Sequence, residues 1–194
     1  MAIGFVPETS AASSSPSRSV EPAEWAGTVV PMLANPRDVI KDLHTRHLPT
    51  PSTAVVAVYE PDGMIRASAS FTIRPGLVDG WEPRNALLAH LRRVVPHDLR
   101  RREPVRTAVL MVCRPGPPGW TAEDGAWMWA LRDACTLHGL RCGSYVTLNE
   151  SGWQVVGEER AGRTPSALSA ARRPSRGAGG AGSIPQARRR ATAR

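Results

Sequence analysis

Residues 106–156 constrain the fold more than any other part of the chain. After Arg106 and Thr107 comes an unbroken apolar run, Ala-Val-Leu-Met-Val-Cys, ending at Cys113. A run of that length suits a strand buried on both faces. A Pro/Gly-rich loop follows, RPGPPGWTAED, from Arg114 to Asp124. Within it Thr121 stands three residues before Asp124, the form of a capping box with Asp in place of the commoner Glu or Gln. Trp127, Leu131, Ala134 and His138 then recur at helical spacing, with Met128 and Cys135 beside them. Gly139 is placed to close that helix. Residues 141–148 and 153–156 read as a hairpin over Asn149-Glu150-Ser151-Gly152.

Upstream, Asn35 is a good helix cap and Pro36 fits the first helical position. Val39, Ile40 and Leu43 follow at helical spacing, and the helix must stop before Pro49. His44 and His47, three apart, could bring two imidazoles near one metal. With no further ligand cluster behind them, helix-surface histidines are the favoured reading. Residues 53–59 and 64–73 form a hairpin over Glu60-Pro61-Asp62-Gly63. Pro83 opens a second helix whose apolar face is Leu87, Leu88, Leu91, Val94 and Val95, with His90 an interfacial residue. His97 to Pro104 reads HDLRRREP, a solvated connection, with phosphate contact as the sharper alternative. The order helix, hairpin, helix, strand, helix, hairpin predicts an α/β domain over residues 33–157.

Composition bounds the rest. The formal net charge is +8, but residues 160–194 hold nine Arg and no acidic residue, so residues 1–159 are close to neutral. A high pI therefore belongs to the tail and argues against a basic DNA-binding domain. Residues 1–32 are expected to form a disordered segment, being rich in Ser, Ala, Pro and Glu up to about residue 24. Residues 25–33 within it are a lead-in that could pack through Trp25, Val29 and Val30. Residues 158–194 are expected to form a disordered Arg-rich tail. In that tail Arg172, Arg173, Arg176, Arg188, Arg189 and Arg190 are the candidates for non-specific nucleic-acid contact. The excess of Arg over a single Lys, Lys41, is an actinobacterial-like coding bias. Cys113, Cys135 and Cys142 form no C-x-x-C pair and are too few for a disulfide scaffold, so reduced thiols in a cytoplasm are expected. The N-terminus lacks the form of a secretory signal, and no apolar run approaches the ~20 residues that span a bilayer. No membrane partner is expected.

The strand ending Val112-Cys113-Arg114-Pro115, the loop Gly116 to Trp120, the Thr121-x-x-Asp124 helix start and the Leu137-His138-Gly139-Leu140 helix end together resemble the JAB (MPN-like) domain of RadC-type proteins. The resemblance covers about residues 53–157. It implies a single three-layer JAB/deaminase-like domain with a mixed sheet. In active members of that family two histidines and the aspartate bind zinc, and a bound water performs hydrolysis. Here Val112 and Arg114 stand where the histidines would be, the loop is one residue shorter than the usual spacing, and only Asp124 matches a ligand position. One carboxylate cannot hold zinc, which takes about three protein ligands plus water. The resemblance thus implies the fold without the metallohydrolase: no metal and no cofactor.

The candidate pocket is Arg114, Asp124, Thr121, Cys113 and Trp120. Arg114 and Asp124 are expected to meet in a charge-assisted hydrogen bond, the guanidinium replacing the metal as the cation that neutralises the carboxylate. Cys113 beside Arg114 could be an activated nucleophile, but no His lies near it in sequence and a core thiol is favoured. Trp120, Trp127, Trp129 and Trp153 could stack on bases; core and loop packing is favoured. These features point to a non-catalytic JAB-like binding or regulatory module in a bacterial cytoplasm, with an unidentified protein partner and DNA contact through the tail. The alternatives are a divergent hydrolase using Asp124 with a thiol or an atypical metal site, and a partner-binding developmental or structural protein with no nucleic-acid role.

Overall fold

A computed structural model describes residues 18–31, 35–76, 79–117 and 119–165. These form helices α1 (Pro22–Thr28), α2 (Pro36–His47), α3 (Trp81–Val94) and α4 (Ala122–His138). The strands are β1 (Thr53–Tyr59), β2 (Ile65–Thr72), β3 (Thr107–Cys113), β4 (Arg141–Leu148), β5 (Trp153–Val155) and β6 (Ala161–Gly162). The protein is a mixed α/β structure, and every element expected from the sequence is present at the expected place in the order.

All six strands join one sheet in the order β2-β1-β3-β4-β5-β6. β3 and β4 run parallel, and every other neighbouring pair is antiparallel. The parallel step needs a crossover, and α4 supplies it. β1 and β3 lie in the middle and alternate between two cores. Ala54, Val56, Val58, Ala108, Leu110 and Val112 face the core built with α1, α3 and α4. Val55, Ala57, Met111 and Cys113 face the other, built with Val39, Ile40 and Leu43 of α2. Helices therefore cover both faces, which is why β1 and β3 are apolar throughout rather than alternating.

The helix ends follow the local signals. Asn35 caps α2 by accepting from Arg37 N. Thr121 caps α4 in a complete capping box, with Asp124 reaching back to the Thr121 N–H. Gly139 closes α4 at φ 76°, a backbone region that side chains with a Cβ disfavour.

The domain extends beyond the expected limits of 33 and 157. Val20 and Trp25 are buried in the α3/α4 core, so a helix stands inside the segment expected to be disordered. Two large apolar side chains and a proline at the first helical position sufficed, although the composition around them is that of a linker. Past residue 157, β6 pairs with β5, and Thr164 Oγ1 donates to Asn149 O at 2.8 Å. The six tail arginines from Arg172 to Arg190, and the rest of both terminal segments, lie outside the described residues. Among the described residues no helix is long and apolar enough to cross a membrane.

Candidate functional site

The alternation along β3 sets the site. Leu110 and Val112 point to the α4 side of the sheet. Arg114 N continues the strand pairing by donating to Leu148 O at 3.0 Å, and its side chain falls on that same side. The loop then returns to Thr121, and the capping box holds the Asp124 carboxylate at the mouth of α4. Strand end and helix start are thus forced together by short-range signals at each.

Arg114 and Asp124 form a two-point ion pair, Nε to Oδ1 at 3.0 Å and Nη2 to Oδ2 at 2.8 Å. Asp124 is fully buried and the Arg114 side chain is 9% exposed. The remaining donors of Arg114 are also engaged. Nη1 donates to Pro117 O at 3.0 Å and, more weakly, to Pro115 O at 3.5 Å. Nη2 also donates to Gly119 O at 2.6 Å. The guanidinium fork is consumed by the carboxylate and the carbonyls of its own loop. On the other side, Oδ2 accepts from Thr121 N and Thr121 Oγ1, each at 2.8 Å, and Oδ1 accepts from Tyr145 Oη at 2.9 Å. A charge buried this deeply is tolerable only when paired and hydrogen-bonded in this way.

The pair expected from the sequence is therefore made, with Thr121 in the same network. Cys113 is next in the chain but takes no part. It faces the α2 core at 4% exposure, and burial pushes its thiol up to about 12. The Arg114 guanidinium, turned to the other face and neutralised, does not activate it. Trp120 packs half-buried at the edge of the α4 core, against the first turn of the helix. Trp127 and Trp153 are core residues at 2% and 8% exposure, which leaves neither ring face open to a base.

Two contributors are absent from the sequence reading. Tyr145 sits opposite Leu110 on β4. Its one sequence signal is an aromatic hydroxyl in a strand, a group that usually finds a hydrogen-bond partner when buried. The second is the segment at residues 18–20. Val20 N donates to Gly125 O at 3.1 Å, directly behind Asp124. Gly125 makes that approach possible: a Cβ there would lie 2.2 Å from Ser19 Oγ and 3.0 Å from Val20 O. Linker-like composition gave no signal for it.

Among the described residues the histidines form no cluster of three; His97 and His138 meet edge to face, ring centroids 6.4 Å apart. His47 bonds Ser68 Oγ at 2.8 Å, His90 stacks on Phe71 and His138 bonds Val95 O at 3.0 Å. His44 is buried in the last turn of α2 with its Nε2 unpartnered among the described residues. A cleft of about 230 Å³ opens between the end of α2 and β2, lined by His47, Leu48, Thr50, Thr53, Ser70 and Thr72 among others; it includes no residue of the Arg114 network. Among the described residues no group of three or more His, Cys, Asp or Glu side chains has the placement of a metal site.

Zinc, the metal implied by the resemblance, does not fit the Arg114 position. Val112 offers no donor atom, Arg114 is a cation, and both oxygens of Asp124 already accept hydrogen bonds. No protein-family model matches the chain, and no curated protein matches it in sequence.

Proposed function

We propose that this chain is a non-catalytic, three-layer JAB-like module that binds or regulates a partner, with a guanidinium where an active relative would hold a metal. One observation carries the reading. Arg114 and Asp124 spend their hydrogen-bonding capacity on each other, on Thr121, on Tyr145 and on the loop carbonyls, so neither is left to bind or activate water. The strand–loop–helix placement of the pair and the central β1-β3-β4 order with its parallel β3/β4 step support the JAB-like reading. The Arg114 network then acts as a fixed clamp that shapes the loop at residues 114–121 as a surface. The Arg-rich segment beyond residue 165 supplies sequence-independent contact with DNA in this reading.

The test is metal analysis of the purified full chain from zinc-supplemented culture, with thermal unfolding before and after chelation. The expected result is well below stoichiometric zinc and an unchanged midpoint. Stoichiometric zinc that Asp124→Asn abolishes would overturn the proposal.

A further inference from the structure

Tyr59, Thr107 and Arg141 stand in register across β1, β3 and β4. The β1–β2 turn at residues 60–64, the loop at 95–106 and the α4–β4 turn therefore meet at one end of the sheet, opposite the Arg114 network. Arg92 and Arg93 in the last turn of α3, Arg100 and Arg102 in the loop, and Arg141 at the start of β4 are exposed there. None has an acidic partner among the described residues, whereas most described arginines elsewhere do, among them Arg18 with Asp79, Arg74 with Glu82 and Arg132 with Glu24. Glu60 and Asp98 at this end are neutralised by Arg106 and Arg101, and the remaining acids, Asp62 and Glu103, are too few to balance it. The same end carries Met64, Leu99 and Leu137, exposed by 67%, 56% and 44%. The surface is fixed: Asp98 N donates to His138 O at 3.2 Å, and the loop backbone lies so close to Gly139 that a Cβ there would fall 2.8 Å from Asp98 C.

We propose that this end docks on an anionic lipid surface. Unpaired arginines meet headgroup phosphates, and Met64, Leu99 and Leu137 enter the boundary between headgroups and acyl chains. A nucleic-acid backbone would use the arginines but leave the three apolar side chains in water, so lipid is the partner that accounts for both. The docking is peripheral and requires no spanning segment. It stands on different residues from the JAB-like reading and survives that reading's failure.

The full chain is sedimented with phosphatidylcholine vesicles holding about one-third phosphatidylglycerol, at about 0.1 M NaCl. Binding is expected, and none to phosphatidylcholine alone. Arg100→Gln/Arg102→Gln is expected to lower partitioning at least about tenfold, and Met64→Ser/Leu99→Ser by a similar factor. Arg37→Gln/Lys41→Gln, on exposed positions of α2, removes two charges without touching the cluster and is expected to stay within about twofold. Circular dichroism checks that each variant is folded. No binding overturns the proposal, and so does a Met64/Leu99 variant that partitions like the parent, which leaves charge alone as the source of binding. Tighter binding to duplex DNA that the arginine pair weakens and the apolar pair does not touch overturns it in favour of nucleic acid.

Discussion

The hydroxyl of Tyr145 donates to Oδ1 of Asp124 across 2.9 Å, joining β4 to the first turn of α4. Arg114 approaches the same carboxylate from β3. Two parallel strands thus converge on one buried charge that also caps a helix. Tyr145→Phe keeps the packing and removes one donor from a carboxylate, an expected loss of about 1.5–3 kcal/mol in denaturant unfolding. Burial and the neighbouring carboxylate hold the phenol far above its ordinary range. Its phenolate absorbance should appear only as the protein unfolds in alkali. A stability change below about 0.5 kcal/mol, the size of a neutral surface substitution, would deny the hydroxyl its part in the network.

Cys113 should be chemically inert in the folded state. With its thiol at about 12 and the side chain buried, almost no thiolate exists near neutrality. Alkylation at pH 8 followed by peptide mapping should find Cys142, the half-buried thiol, modified well before Cys113. Fast labelling of Cys113 in folded protein would revive the thiol hydrolase.

Four histidines give the protein an acid limit above that of its carboxylates. Burial is the leading cause lowering His44, His47, His90 and His138 from their ordinary value. The unfolded chain therefore takes up these protons first as pH falls. The corresponding stability is complete above an unfolded value of about 6.5 and is lost as pH drops through the lower folded values. Urea midpoints should be lower at pH 5.5 than at pH 7.5, and His138→Gln should flatten part of that dependence. Equal midpoints would contradict the burial of neutral imidazoles.

The folded unit continues past residue 157, at least to Thr164. Ending the chain at 165 should leave the unfolding transition intact. Ending it at 157 removes β6, the contact of Gly162 with the Trp153 ring, and the bond from Thr164 to Asn149. The shorter chain should melt several degrees lower. Identical transitions for both would make β6 dispensable.

Legibility in the sequence followed the range of each signal. The capping box, the Gly139 stop, the Asn35 cap and the apolar run of β3 act within a few residues and are readable directly. Arg114 with Asp124 was readable because a strand end and a helix start ten residues apart have few ways to meet. Tyr145 was not, because its contact depends on β4 returning parallel beside β3, which no local signal specifies. Residues 18–28 failed for a different reason: Val20 and Trp25 are two anchors in a stretch whose average composition is that of a linker. The segment before α1 packs against Gly125 and α1 itself against Gly157, both far away in the chain.

The central claim is that a guanidinium, not a metal, neutralises Asp124 and ties β3 to α4. A double-mutant cycle on Arg114→Ala and Asp124→Ala, read by urea unfolding of the full chain in the presence of chelator, tests it most directly. Each single substitution strands a buried charge and should cost about 3–5 kcal/mol. The double variant removes both charges and should recover a coupling of about 2–3 kcal/mol. Losses that add to within about 0.5 kcal/mol would show the two residues to be independent, and the clamp at this position would be contradicted.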